Sequence, residues 1–195
     1  MSACIYVSYY TPDYEEVAHR LKLSLATFEL EHIVVPVPDR GTWVANCARK
    51  PLFIRDLLSQ MKKPLVWIDA DAVVVKRPAL FEDSAYCHDA AVCRYTWHQG
   101  KRETLSGTVW FNDTYMAKRM VEHWIEQQAL LPDMWDQVGL QMAVAEAEKT
   151  SAVIENLPVE YCYIHDLHRR EHPDADPVIV HYQHSRQTRH KKVSP

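Results

Sequence analysis

The sequence predicts one α/β domain, with a mixed, mostly parallel central sheet and helices on both of its faces. Three observations carry that prediction. Apolar β-branched runs alternate with segments of helical spacing through the first 75 residues. The length of 195 residues, 47% of them hydrophobic, suits one large domain with a sizeable core. No internal repeat or low-complexity stretch divides the chain.

Residues 3–9 (ACIYVSY) are the first expected strand. Thr11-Pro12-Asp13 then turns the chain into a helix, since proline presets φ for a first turn and an acid suits its positive end. Tyr14, Ala18, Leu21, Leu25 and Phe28 follow at helical spacing. A second strand covers 32–37, and Asp39-Arg40-Gly41 turns the chain. A second helix is expected over 44–61, with Leu52, Ile54, Leu57 and Leu58 as its apolar set and Pro51 marking its start or a kink. Residues 64–68 are a third strand and 73–75 a short fourth.

Strands over 90–95 and 104–111 come next. Amphipathic helices follow over 113–130 and 136–149, then late strands over 151–157 and 178–182. Residues 165–177 are polar and proline-containing, which predicts an irregular solvated loop. Within it His165, His168 and His172 have a spacing that zinc could use, but a solvated loop suits the composition better.

Composition narrows the function. A net charge of −4 gives no global pull towards nucleic acid. The closing Arg186, Arg189, Lys191 and Lys192 carry no acid among them and read as a solvated tail. Cys4, Cys47, Cys87, Cys93 and Cys162 are scattered with no C-x-x-C pair, which argues for reduced core thiols over a disulfide framework or zinc knuckle. The start MSACIYVSYY does not resemble a signal peptide, and no apolar run approaches the ~20 residues of a membrane span. A soluble, cytoplasmic chain is expected. With four glycines and no Gly-rich phosphate loop, any phosphate must be held by other means.

The stretch PLVWIDADAVVV sets Asp69 and Asp71 at the end of an apolar strand, where open α/β sheets bind ligands. A plain polar strand end is one reading, disfavoured because burying two like charges is costly. A hard divalent cation shared by both acids, facing a diphosphate, is the second. The third is a haloacid-dehalogenase-type phosphatase with Asp69 as nucleophile and Asp71 as acid/base. That phosphatase places its motif on the first strand and needs a late acidic cluster. Here the motif comes after two earlier strands, and Asp174 and Asp176 lack the spacing. The late VIVHYQHSR instead offers His181 as a neutral imidazole ligand and Arg186 as a bidentate phosphate partner. The metal–diphosphate site is favoured, with the phosphatase and a non-catalytic metal or sugar binder as alternatives.

On these residues the sequence resembles the GT-A-fold nucleotide-diphospho-sugar glycosyltransferases, a Rossmann-like family. It looks most like the small retaining type related to glycogenin and to lipopolysaccharide glycosyltransferases. The likeness runs through VSYYTPDY, RKPLFIRDLL, WIDADAVV, SGTVWFN, Trp135-Asp136-Gln137, LPVEYCYI and IVHYQHSR, in that order. It implies a catalytic domain over 1–184 and a basic tail over 185–195 that closes over the donor.

The resemblance also implies roles. Ser8, Tyr9, Tyr10 and Thr11 would hold base and ribose, and Lys50 would place a cation near the donor. Asp69 and Asp71, with His181, would bind manganese or magnesium on the diphosphate. Ser106 and Gly107 would line the sugar pocket, and Asp136 and Gln137 would meet the donor sugar or its reacting carbon. Ser185 and Arg186 would close over the diphosphate. The implied activity is metal-dependent transfer of glucose or galactose from a UDP-sugar to an acceptor hydroxyl, with retention. The acceptor would be a glycan or a hydroxymethylated DNA base. The family's usual H-x-x-G-x-x-K-P-W ending is absent, with no glycine there and Arg186 in the cationic place. Trp43, Trp97, Trp110 and Trp135 are candidates for stacking on sugar or base rings, at least two of them being core residues instead.

Overall fold

A computed structural model describes residues 4–83, 86–98 and 100–186. The first half runs β1 (Ile5–Tyr10), α1 (Glu15–Thr27), β2 (His32–Pro36), α2 (Trp43–Cys47), α3 (Lys50–Met61), β3 (Leu65–Ile68), β4 (Ala72–Val74) and α4 (Ala79–Glu82). The second half runs β5 (Ala90–Thr96), β6 (Arg102–Phe111), α5 (Tyr115–Leu130), α6 (Asp136–Ala147), β7 (Ile154–Asn156), β8 (Tyr163–Ile164), α7 (His165–Glu171) and β9 (Ile179–His181).

Six strands form the central sheet in the order β2-β1-β3-β6-β5-β7. All run the same way except β6, which is antiparallel to both its neighbours. A small second sheet, β4-β9-β8, stands beside it. Side chains of the central strands alternate between two cores, as period-two geometry requires. Tyr6, Val66 and Ile68 join α1 residues Ala18, Leu21 and Leu25 on one face. Ile5, Val7, Leu65 and Trp67 meet α3, α5 and α6 residues such as Ile54, Trp124 and Leu140 on the other. The predicted mixed sheet with helices on both faces is therefore the fold.

Three local expectations change. The helix predicted over 44–61 is two helices, α2 and α3, with Pro51 in the first turn of α3 where no helical hydrogen bond is lost. The strand predicted over 151–157 shrinks to the three residues of β7. The loop predicted over 165–177 begins as α7, and its His168 is fully buried. The His168 ring lies against Tyr95, Trp97 and Tyr163, and its Nδ1 accepts a hydrogen bond from Ile164 N at 3.0 Å. A histidine used as an aromatic core residue gives polar composition without solvation.

The ladder between β5 and β6 is irregular at one point. Pairing jumps from Val92↔Val109 to Cys93↔Leu105. Ser106, Gly107 and Thr108 therefore bulge away from β5, although Thr108 still pairs with Ile68 of β3. Among the described residues no helix is long and apolar enough to cross a membrane.

Candidate active site

The apolar run of β3 stops at Asp69, whose backbone N–H donates to Gly107 O at 2.8 Å. Ala72 N–H donates back to Asp69 O at 3.0 Å, closing a tight turn that carries Asp71. β4 leaves this turn and pairs with β9 in a register that sets His181 opposite Ala72. Strand pairing, not local sequence, thus brings the imidazole to the carboxylates. Asp69, Asp71 and His181 each offer a ligand atom within 4.8 Å of the others.

Each of the three side chains is held from behind. Asp69 Oδ1 accepts from Trp67 Nε1 at 2.9 Å, and Lys50 Nζ lies 2.9 Å from the same oxygen. Asp71 Oδ2 accepts from His184 N at 2.8 Å. His181 Nε2 meets Thr108 Oγ1 at 2.9 Å. Burial and the charge of Asp69 push the Asp71 carboxyl above its ordinary pKa, against the pull of His181 and His184. Gly107 makes room for the imidazole, since a Cβ there would lie 2.9 Å from His181 Cε1 and 3.0 Å from Nδ1.

Lys50 opens α3 and is 3% exposed. Its Nζ lies 2.6 Å from Asp136 Oδ2 and donates to Ser106 O at 3.1 Å and Ser106 Oγ at 3.3 Å. It therefore ties the β6 bulge to both acids. Burial alone would lower the Lys50 pKa, but Asp136 and Asp69 outweigh it and raise it above the usual lysine value. Asp136 opens α6, is also 3% exposed, and its carbonyl accepts from Trp124 Nε1 at 2.8 Å. The partial positive charge of a helix start suits its carboxylate.

The donor set fits a divalent cation. The hydrogen bonds engage one oxygen of each carboxylate, so a second oxygen on each can serve an ion beside the imidazole. Asp69 and Asp136 share the single ammonium of Lys50, and Asp71 adds a third carboxylate beside Asp69, a negative charge that such an ion offsets.

The profile of a family described as nucleotide-diphospho-sugar transferase matches residues 34–194. The chain belongs to that family. Its fold resembles that of a glycosyltransferase involved in the glycosylation of the major capsid of PBCV-1, with a TM-score of 0.73 at 12% identity over 98% of this chain and 100% of that one. It also resembles the glycosyltransferase GlyE of Streptococcus pneumoniae TIGR4, with a TM-score of 0.59 at 14% identity over 93% of this chain and 54% of GlyE. The apo form of GlyE gives 0.62 at 13% identity over the same shares. This chain spans about half the length of GlyE. No curated protein matches the chain in sequence.

Most residues singled out in the transferase sequence meet at one cavity. Tyr9, Tyr10, Thr11, Asp69, Asp71 and His181 line it. So do Lys50, Ser106, Gly107, Asp136, Gln137 and Ser185. Ser8 does not: it is fully buried within β1. Arg186 is exposed and does not line the cavity, and its N–H donates to Gln183 O at 2.9 Å. The basic tail from 187 onwards lies outside the described residues. Tyr9 is more a wall than a donor, because its hydroxyl is spent on Asn46 O at 2.7 Å.

Sequence reading passed over several residues of the transferase cavity, Tyr14, Trp67, Asn46 and Cys47 among them. Tyr14 stands edge-on to His184 with ring centroids 4.9 Å apart. Trp67 anchors Asp69, while Asn46 and Cys47 both come from α2. Tyr14 and Trp67 sit inside the motifs VSYYTPDY and WIDAD, so their positions were signalled though their roles were not. Nothing in the sequence marks Asn46 or Cys47.

Proposed function

We propose that this transferase moves a hexose, glucose or galactose, from a UDP-sugar to an acceptor hydroxyl with retention at the sugar carbon. The observation that carries this reading is the convergence of Asp69, Asp71 and His181 with the Lys50–Asp136 pair in one cavity. Asp69, Asp71 and His181 hold a manganese or magnesium ion. When bound, that ion supplies the positive charge that steadies the departing diphosphate. Tyr10, Thr11 and Tyr14 frame the nucleotide, and Ser185 lies on the diphosphate side.

Asp136 and Gln137 attend the sugar. Lys50 shares the charge of Asp136 and lessens its reactivity as a nucleophile, so Asp136 serves to orient the sugar. Lys50 also holds Ser106 O and Oγ, which fixes the bulge that forms the sugar-side wall. The bond from the sugar carbon to the diphosphate oxygen breaks, its electron pair leaves with UDP, and the acceptor oxygen takes its place. The acceptor proton goes to the departing phosphate oxygen.

Purified protein incubated with several nucleotide sugars, with and without Mn2+, tests this by release of free nucleoside diphosphate. Slow, metal-dependent UDP release that Asp71→Ala abolishes is the expected result. Release of inorganic phosphate from small phosphoesters would return the site to phosphatase chemistry. Nucleotide binding without turnover across every acceptor class would make it a binding module.

A further inference from the structure

Two tryptophans line the cavity without joining the core. Trp43 opens α2, whose start is capped by Thr42 Oγ1 accepting from Ala45 N at 3.1 Å, and Trp135 is the residue before α6. Their ring centroids are 5.8 Å apart with 48° between the planes. Trp67, Trp110 and Trp124 belong to the two core clusters and Trp97 packs against one, but neither Trp43 nor Trp135 does. Trp135 is 40% exposed. What sets Trp135 apart from other exposed apolar residues is that it borders the cavity beside a second indole, so that an open aromatic face is offered to a ligand there.

Their place in the cavity says which ligand. Trp135 directly precedes Asp136 and Gln137, the pair assigned to the donor sugar, while the cation ligands and Ser185 serve the diphosphate. An incoming hydroxyl must approach the sugar carbon beside Asp136 from solvent, and the partly exposed indole of Trp135 borders that approach.

We propose that Trp43 and Trp135 form the acceptor platform and that the acceptor is a neutral pyranose sugar lying with one face on the indole. This rests on the transferase reading of the cavity. A pyranose presents a flat patch of C–H bonds whose positive edges suit the negative face of an indole. Its hydroxyls project at the ring edge, where the Gln137 amide can both donate and accept. A nucleobase fits less well. Two rings already in contact at 48° leave no parallel slot for a flat base between them. The net charge of −4 also disfavours a polyanion.

The test uses wild type, Trp43→Ala, Trp135→Ala and Trp135→Phe with UDP-glucose or UDP-galactose and Mn2+. The acceptor probes are methyl pyranosides of glucose, galactose, mannose and N-acetylglucosamine, a Ser/Thr peptide, and a hydroxymethylcytosine oligonucleotide. UDP release is followed for donor alone and with each probe, and UDP affinity by calorimetry. A methyl pyranoside should raise UDP release above the donor-only rate. Each alanine variant should raise its KM at least about tenfold with a smaller change in kcat, and Trp135→Phe should restore most of the loss. UDP affinity should shift by less than about threefold. Stimulation by peptide or oligonucleotide but by no pyranoside overturns the proposal. So does pyranoside stimulation indifferent to both indoles, or a loss of UDP affinity that tracks the loss of transfer. UDP release without any stimulation overturns the platform alone. Absence of UDP release from every nucleotide sugar instead overturns the transferase reading beneath it.

Discussion

Lys50 Nζ lies 2.6 Å from Asp136 Oδ2, joining the first residues of α3 and α6 in an ion pair that solvent scarcely reaches. Desolvating such a pair is costly, and it persists because Lys50 also meets Asp69 and the Ser106 carbonyl. The pair is therefore a joint between two helices and the bulged strand as much as a charge in the cavity.

Removing the ammonium should leave Asp136 buried and unpaired. Lys50→Met is expected to lower unfolding stability by about 3–5 kcal/mol. Adding Asp136→Asn should return part of that loss, giving a coupling of about 1 kcal/mol or more between the sites. Urea unfolding of the four proteins measures it, and strictly additive effects would mean the pair contributes nothing.

Gly107→Ala should act on the cation through His181. The new methyl group needs space that the imidazole occupies. Mn2+ affinity by calorimetry should fall about tenfold or more, as for other supporting residues of metal ligands. Asp71→Asn serves as the reference for outright ligand loss. An unchanged affinity would place the ion away from His181.

Cys47 offers a chemical footprint of the nucleotide. It is half-buried on the cavity wall, Cys87 is exposed, and Cys4, Cys93 and Cys162 are buried. A maleimide should label Cys47 and Cys87 first, as mass spectrometry would show. UDP with Mn2+ should slow labelling of Cys47 and leave Cys87 as it was. Equal rates at saturating nucleotide would empty this cavity of its assigned ligand.

His168 should make the fold sensitive to mild acid. Burial, with a smaller push from His172, lowers its pKa from 6.5 to about 4. Between those values the unfolded chain holds the proton and the folded chain does not, so stability falls as pH drops from 6.5 towards 4. The loss approaches about 3 kcal/mol at the lower end. His168→Gln cannot titrate there, so melting curves at pH 7 and pH 5 should show the gap between variant and wild type closing in acid. Parallel melting shifts would show that His168 titrates normally.

Asp69 and Asp71 were legible because charge in an apolar run is costly, and that cost is visible in the sequence itself. His181 was legible because another strand-like run ended on it. Lys50 was not decidable, since a lysine at a helix start looks the same in water as in a cavity. Its burial comes from the start of α6, the end of β3 and the β6 bulge meeting around it, a fact of tertiary packing. The alternation of strands and helices pointed to the sheet and its two cores, but α7 escaped because seven residues hold too little periodicity. The β6 bulge escaped too, since Ser-Gly-Thr inside a strand says that something irregular occurs, not that three residues leave the ladder.

The pairing of β4 with β9 also sets a schedule. It closes the candidate cation group across more than half of the sequence: His184, just past β9, reaches back to Asp71 over 113 residues. A chain emerging from the ribosome carries both aspartates long before it carries His181, and such distant pairings form late. The growing chain can lay down β1, β2 and β3 while its candidate cation ligands are still incomplete. The proposed cation and donor cavity is therefore completed only once β9 is in place, and a chain stopped short of β9 would have all six strands of the central sheet without the finished cavity.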